Sequence, residues 1–137
     1  CALPISVHDC ARALVTPEVI ARAVTLAQEH GAALTAVPQA DTLKQATLDL
    51  VTGTVPRAGL WAAQTPQVFR RDWLERAHRE ATLLATDDAA LVEALGHPVH
   101  LSLGEALNFK ITTAADLALA EAWLAHRAAT NVSREDA

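Results

Sequence analysis

Short β-type runs take turns with helical stripes along this chain, and that alternation limits its fold more than any other feature. "SVHD" is a short strand ending in polar residues. Thr16 and Pro17 then open a helix as N-cap and first helical residue. Its apolar stripe is Val19, Ile20, Ala23, Val24 and Ala27, and Gly31 closes it. "AALTAVP" is a buried strand closed by Pro38. Trp73, Leu74, Ala77, Ala81 and Leu84 recur at helical spacing as core residues. "TDDAALVEALG" is a short helix capped by Thr86 and ended by Gly96, with Asp87 and Asp88 at its positive dipole end. "VHLSLG" and "NFKIT" read as two further strands. Thr113, with Asp116 at N3, is a variant capping box for a last helix carrying Leu117, Ala120, Trp123 and Leu124. "ATNVSREDA" reads as a frayed polar tail. Strands interleaved with helices imply an α/β protein with a largely parallel sheet.

One segment breaks the alternation. From Gln39 to Ala58 polar and β-branched residues alternate, with "VTGTV" as a hairpin tip. Such a segment buries neither face by itself, so it reads either as a β-arm covered by a partner subunit or as an ordinary surface hairpin.

Composition excludes several classes. The 137 residues fit one domain, and 51% hydrophobic residues suffice for a core. A net charge of -5 with scattered basic residues argues against nucleic acid as a partner. No apolar run is long enough to span a bilayer, and "CALPISVHDC" lacks the basic start of a signal peptide. Cys1 and Cys10 make no disulfide framework or metal pair, which points to reduced thiols in the cytoplasm. The chain has no Met, so it is expected to be a fragment or a processed chain.

In open α/β sheets, ligands gather beyond the carboxyl ends of the strands. Asp9 and Arg12 in "VHDCAR" lie at such a place. Asp9 suits Mg2+, which takes one or two hard oxygens plus substrate phosphates, or it caps a turn. Arg12 is placed to fork onto a phosphate or to stand solvated. His8 reads as a packed neighbour. "DTLK" brings Asp41, Thr42 and Lys44 to the base of the arm. Arg57 to Thr65 leads into "GLWAAQTPQVF", and "NFKIT" carries Lys110, one of two Lys against nine Arg. Together these residues suit a phosphorylated substrate and a metal nucleotide.

The segments "VHDCAR", "DTLK", "GLWAAQTPQVF", "TDDAALVEALG" and "NFKITTAADLALAE", in this order, resemble the 2-C-methyl-D-erythritol 4-phosphate cytidylyltransferases. The resemblance covers about Ser6 to Leu124. It implies a Rossmann-like nucleotide-diphospho-sugar transferase fold, truncated, with a protruding β-arm at about residues 39–60. In that family the substrate phosphate attacks the α-phosphorus of CTP in line and pyrophosphate leaves. The resemblance makes Asp9 the Mg2+ ligand, and with Lys110 a catalytic residue. Arg12, Thr42, Arg57 and Thr65 would bind methylerythritol phosphate, Thr42 and Arg57 acting across a homodimer formed through the arm. Leu60, Trp61 and Phe69 would pack the arm's return strand, and Thr65–Pro66 would present the Thr65 hydroxyl to a phosphate.

Two departures accompany the match. This chain has "DCARA" where the family has "DAARP", and the family's N-terminal Gly-rich CTP loop has no counterpart here. Residues 1–127 are therefore expected to be the substrate-binding and dimerising portion of the enzyme, inactive alone, followed by a polar tail at 128–137. Two other readings fit the same residues: a ribitol-5-phosphate cytidylyltransferase, and a noncatalytic dimerisation module.

Overall fold

The computed structural model describes residues 4–80 and 84–135, with side chains through residue 130. Its elements are β1 (Pro4–Val7), α1 (Pro17–His30), β2 (Ala32–Pro38), β3 (Leu43–Thr47) and β4 (Leu50–Val55), then β5 (Trp61–Arg70) and α2 (Arg71–Glu80). α3 (Asp88–Ala94), β6 (His100–Leu103) and α4 (Ala114–Glu135) follow. Four strands form the main sheet in the order β1-β5-β2-β6, and β3 and β4 form a two-stranded sheet of their own.

The main sheet is mixed, not largely parallel. β5 runs antiparallel to both β1 and β2, and β2–β6 is the parallel pair. The arm explains this. β2 leaves the sheet at Pro38, the chain makes the β3–β4 hairpin, and β5 returns with Trp61 opposite Pro38. β2 and β5 are thus two sides of one long hairpin, a connection that enforces antiparallel pairing.

Helices cover both faces, and the period-two alternation of the central strands decides which residue meets which layer. Ala33 and Val68, paired across β2 and β5, pack with Ala23 and Ala27 of α1. Their neighbours Ala32 and Phe69, also paired, face the opposite way onto Leu74 and Ala77 of α2 and Ala89 and Val92 of α3. Phe69 is fully buried, a contribution of roughly 1.5–3 kcal/mol from side-chain transfer.

The helix starts follow local chemistry. The Thr16 side chain accepts the Val19 N–H, and Gly31 closes α1 at φ 95°. At Gly31 a Cβ would stand 2.4 Å from Trp73 Cη2, so this corner needs glycine for space as well as for φ. Thr113 and Asp116 form the reciprocal capping box of α4: the Thr113 hydroxyl accepts the Asp116 N–H at 3.2 Å, and the Asp116 carboxylate accepts the Thr113 N–H at 2.8 Å.

Several expectations are corrected. The N-cap of α3 is Asp87, not Thr86, because its carboxylate accepts the Ala90 N–H. The hairpin turns at Leu48–Asp49, with Leu48 at φ 56°; "VTGTV" lies within β4, beside a register shift between Gln45 and Ala46. "NFKIT" is an extended loop without a ladder. Leu84 is fully exposed beyond α2, and Ala81 lies outside the described residues. Leu60 and Trp61 are exposed by 36% and 40%, so of the three residues expected to pack the return strand Phe69 alone is core. Helix α4 runs on through the expected tail to Glu135.

Candidate active site

The site begins with an interruption in the central strand. Leu34 of β2 pairs with Gln67 and Ala36 with Ala63, so three residues, Gln64 to Pro66, stand opposite Thr35 alone. Such a bulge re-aims side chains and frees carbonyls from the ladder. The Thr35 hydroxyl donates to the Pro66 carbonyl at 2.6 Å. The Ala63 carbonyl takes Arg12 Nη2 at 3.3 Å, and the Thr65 carbonyl takes Asn108 Nδ2 at 2.7 Å. The Thr65–Pro66 peptide is cis.

Beyond the end of β1 the chain turns, with the Arg12 N–H donating to the Asp9 carbonyl at 3.0 Å. The Asp9 N–H donates to Thr65 Oγ1 at 3.0 Å. His8 reaches the same hydroxyl through Nδ1 at 2.8 Å and the Arg12 carbonyl through Nε2 at 3.3 Å. A carbonyl only accepts, so the network assigns the ring proton to Nε2 and directs the Thr65 O–H to Nδ1. His8 is thus an exposed orienting partner, not a packed one.

Three charged groups meet here. Asp9 Oδ2 takes Arg12 Nε at 3.2 Å and Lys110 Nζ at 3.4 Å. Arg12 also donates from Nη1 to the Asn108 carbonyl at 2.7 Å. Its guanidinium has five N–H donors, and these contacts engage three of them. Lys110 is about half exposed and Asp9 one-third exposed. The segment bearing Lys110 is pinned by Ile111 N–H to the Ala11 carbonyl at 2.8 Å. It is pinned again at its end, where Asp116 accepts from Thr112 and Thr113. These bonds, led by the Thr112 N–H, hold the Asp116 carboxyl down at about 2.

Asp9, Arg12, Thr65 and Lys110 line an open cleft of about 420 Å³. Gln64, Gln67, Thr86, Asp87 and Asp88 line it too. Asp87 is held by Gln67 Nε2 at 3.0 Å, and Asp88 by His78 Nε2 at 2.7 Å. The cleft therefore holds two cations gathered on Asp9 and a further acidic pair, Asp87 and Asp88.

Of the sequence-derived candidates, the structure brings Asp9, Arg12, Thr65 and Lys110 together. Thr42 and Arg57 stay at the base of the arm and do not line the cleft; Arg57 donates to the Ala40 carbonyl, while Lys44 bonds Thr54. Sequence reasoning missed the buried amides Gln64, Gln67 and Asn108 as framework. "AQTPQ" with its two Gln was the available signal, but nothing in spacing connects it with a residue forty positions later.

Among the described residues no group of three or more His, Cys, Asp or Glu is poised to hold a metal ion. Asp9, with one oxygen shared by two cations, suits an ion that takes its remaining ligands from phosphate oxygens and water. No helix of the described residues is long and apolar enough to cross a membrane.

The layered architecture, mixed sheet and charged cleft beyond the strand ends define a Rossmann-like α/β protein. A sequence model of the 2-C-methyl-D-erythritol 4-phosphate cytidylyltransferase family matches residues 3–126, and the chain belongs to that family. It is 46% identical over 121 residues to the 2-C-methyl-D-erythritol 4-phosphate cytidylyltransferase of Geotalea uraniireducens, covering 86% of this chain and 52% of that one. With the enzyme of that name from Salinibacter ruber the identity is 50% over 119 residues, covering 85% and 50%. The crystal structure of the Thermus thermophilus enzyme superposes with a TM-score of 0.83 at 44% identity, over 89% of this chain and 62% of that one. The chain spans about half the length of the curated relatives it matches.

Proposed function

We propose that this chain supplies the methylerythritol phosphate side of a cytidylyltransferase site that joins CTP and 2-C-methyl-D-erythritol 4-phosphate in isoprenoid biosynthesis. One observation carries the reading: Lys110 and Arg12 converge on Asp9 in a cleft that also holds the Thr65 hydroxyl. In the reaction a substrate phosphate oxygen bonds to the α-phosphorus of CTP as the bond to the bridging oxygen breaks, and pyrophosphate carries the electron pair away. Lys110 and the remaining donors of Arg12 draw the substrate phosphate in and offset its charge as it approaches the nucleotide. Asp9 keeps the Lys110 ammonium in place. Mg2+, held by Asp9 and phosphate oxygens, would neutralise charge on the nucleotide.

The arm supports a homodimer. Leu48, Leu50 and Val51 are exposed by 97%, 69% and 58%, an apolar surface that a second copy would cover. Thr42 and Arg57, at its base, would then serve the partner's cleft. A cytoplasmic setting fits the reduced Cys10.

Titration calorimetry with methylerythritol phosphate tests the reading. The 137-residue chain is expected to bind it and to release no pyrophosphate when CTP and Mg2+ are added. Loss of one charge-assisted contact in Lys110→Ala weakens binding by about 10- to 100-fold. Wild-type affinity in that variant overturns the assignment, and pyrophosphate release by the chain overturns its inactivity alone.

A further inference from the structure

We propose that Asn108 is the positioning residue of the cleft, fixing Arg12, Thr65 and Lys110 relative to one another. The proposal deepens the reading above, since methylerythritol phosphate is the ligand that reports it.

Asn108 is 1% exposed, so each of its polar bonds is made inside the protein. A side-chain amide has two N–H donors. Here one goes to the Thr65 carbonyl at 2.7 Å and the other to Gln64 Oε1 at 3.2 Å. The backbone carbonyl accepts Arg12 Nη1 at 2.7 Å, and the backbone N–H donates to the Glu105 carbonyl at 3.0 Å. One residue therefore joins the turn after β1, the bulge of β5 and the loop after β6. Lys110 follows two positions later, held between Asn108 and the Ile111 anchor on Ala11.

The amide orientation is dictated by its surroundings. Gln64 Nε2 donates to the Glu105 carbonyl at 2.9 Å, which turns Gln64 Oε1 toward Asn108. Asn108 must answer with a donor, and the Thr65 carbonyl requires the same. Its Oδ1 is left buried without a hydrogen-bond partner. Such an orphan acceptor carries a free-energy cost that an apolar residue would avoid. The position therefore uses the donors. Gly104 makes the relay possible, because a Cβ there would stand 2.3 Å from Gln64 Oε1 and 3.0 Å from Thr35 Cγ2. Gln64 is bonded at both ends, so any shift that makes room for a Cβ at Gly104 disturbs its bonds to Glu105 and Asn108.

The role separates from simple stability because the bonds converge on groups that line the cleft, while Asn108 and Gly104 do not line it. The test compares Asn108→Ala, Gly104→Ala and Val92→Ala, the last a core truncation between α3 and the sheet. Melting temperature, the Kd for methylerythritol phosphate and solvent exchange at the Arg12 guanidinium are measured for each. Asn108→Ala and Gly104→Ala are expected to raise Kd by about 10-fold and to speed Arg12 exchange. Val92→Ala is expected to lower the melting temperature and bind as wild type. Near-wild-type affinity in folded Asn108→Ala and Gly104→Ala overturns the proposal, as does an equal affinity loss in Val92→Ala. If Asn108→Ala does not fold, Gly104→Ala decides. Failure of the wild type to bind methylerythritol phosphate overturns the substrate reading alone, and Arg12 exchange then decides positioning: unchanged exchange rates in the variants overturn it.

Discussion

The Asp9 N–H donates to the Thr65 hydroxyl at 3.0 Å, across 56 residues of chain. The turn holding the cleft's carboxylate is thereby hung on the bulge of the central strand. Thr65→Val keeps the shape and removes the hydroxyl, leaving the Asp9 N–H without its acceptor and His8 Nδ1 without its donor. We expect a stability loss of about 1 kcal/mol and weaker methylerythritol phosphate binding, with Thr65→Ser restoring both. Denaturant unfolding and calorimetry on the pair check this; a Val variant that binds as wild type refutes the role.

The arm carries its exposed leucines and valine without help from the body. Leu50→Asp with Val51→Asp should convert a dimer into a monomer and leave the melting temperature of the body almost unchanged, because these side chains bury little within their own chain. Sedimentation velocity on both proteins gives the answer. An unchanged dimer removes the arm from the interface.

Gly31→Ala should be among the most damaging single substitutions. The residue sits at φ 95°, a conformation that costs an L-residue about 1–2 kcal/mol, and its Cβ would overlap the Trp73 ring. Trp73 has little room to yield, since His97 stacks on it at 4.0 Å and Arg70 lies over it at 5.0 Å. Thermal unfolding with tryptophan fluorescence is the measurement, and a loss no greater than about 1–2 kcal/mol, the cost of the backbone alone, would contradict the overlap.

Asp116 links acid stability to the Lys110 segment. Its carboxyl is held at about 2, against an ordinary 3.8, by N–H and hydroxyl donors of Thr112 and Thr113. A depressed carboxyl favours the folded state fully above its ordinary value, and that support is lost as pH falls through about 2. Carbon-detected titration of Asp116 should show a midpoint near 2, moving upward in Thr113→Ala. A midpoint at the ordinary value would mean the capping box is not formed in solution.

Local chemistry made part of this molecule legible. Thr16, Pro17 and Gly31 mark α1 by caps that need no distant partner, and Thr113 with Asp116 does the same for α4. The sheet's polarity was not legible, because it depends on the arm linking β2 to β5 as a hairpin. Loop "NFKIT" looks like a strand because its β-branched and aromatic residues suit one; its backbone instead bonds Ala11, Glu105 and Arg12. Asp9, Arg12 and Lys110 were singled out by their places after strand-like runs, Thr65 by motif resemblance, and the four line one cleft. The amides that brace them were not singled out, since a buried Gln or Asn declares itself only through its partners.

The strand interruption at Gln64–Pro66 has a further consequence for how the protein is made. Bonds that build the cleft around it close long loops: 51 residues for Arg12 to Ala63, 43 for Asn108 to Thr65, and 96 for Arg12 to Asn108. Contacts of that span carry the largest chain-closure cost and form after local structure. The cleft is therefore among the last features to assemble, and ligand affinity during refolding should appear with the slowest phase.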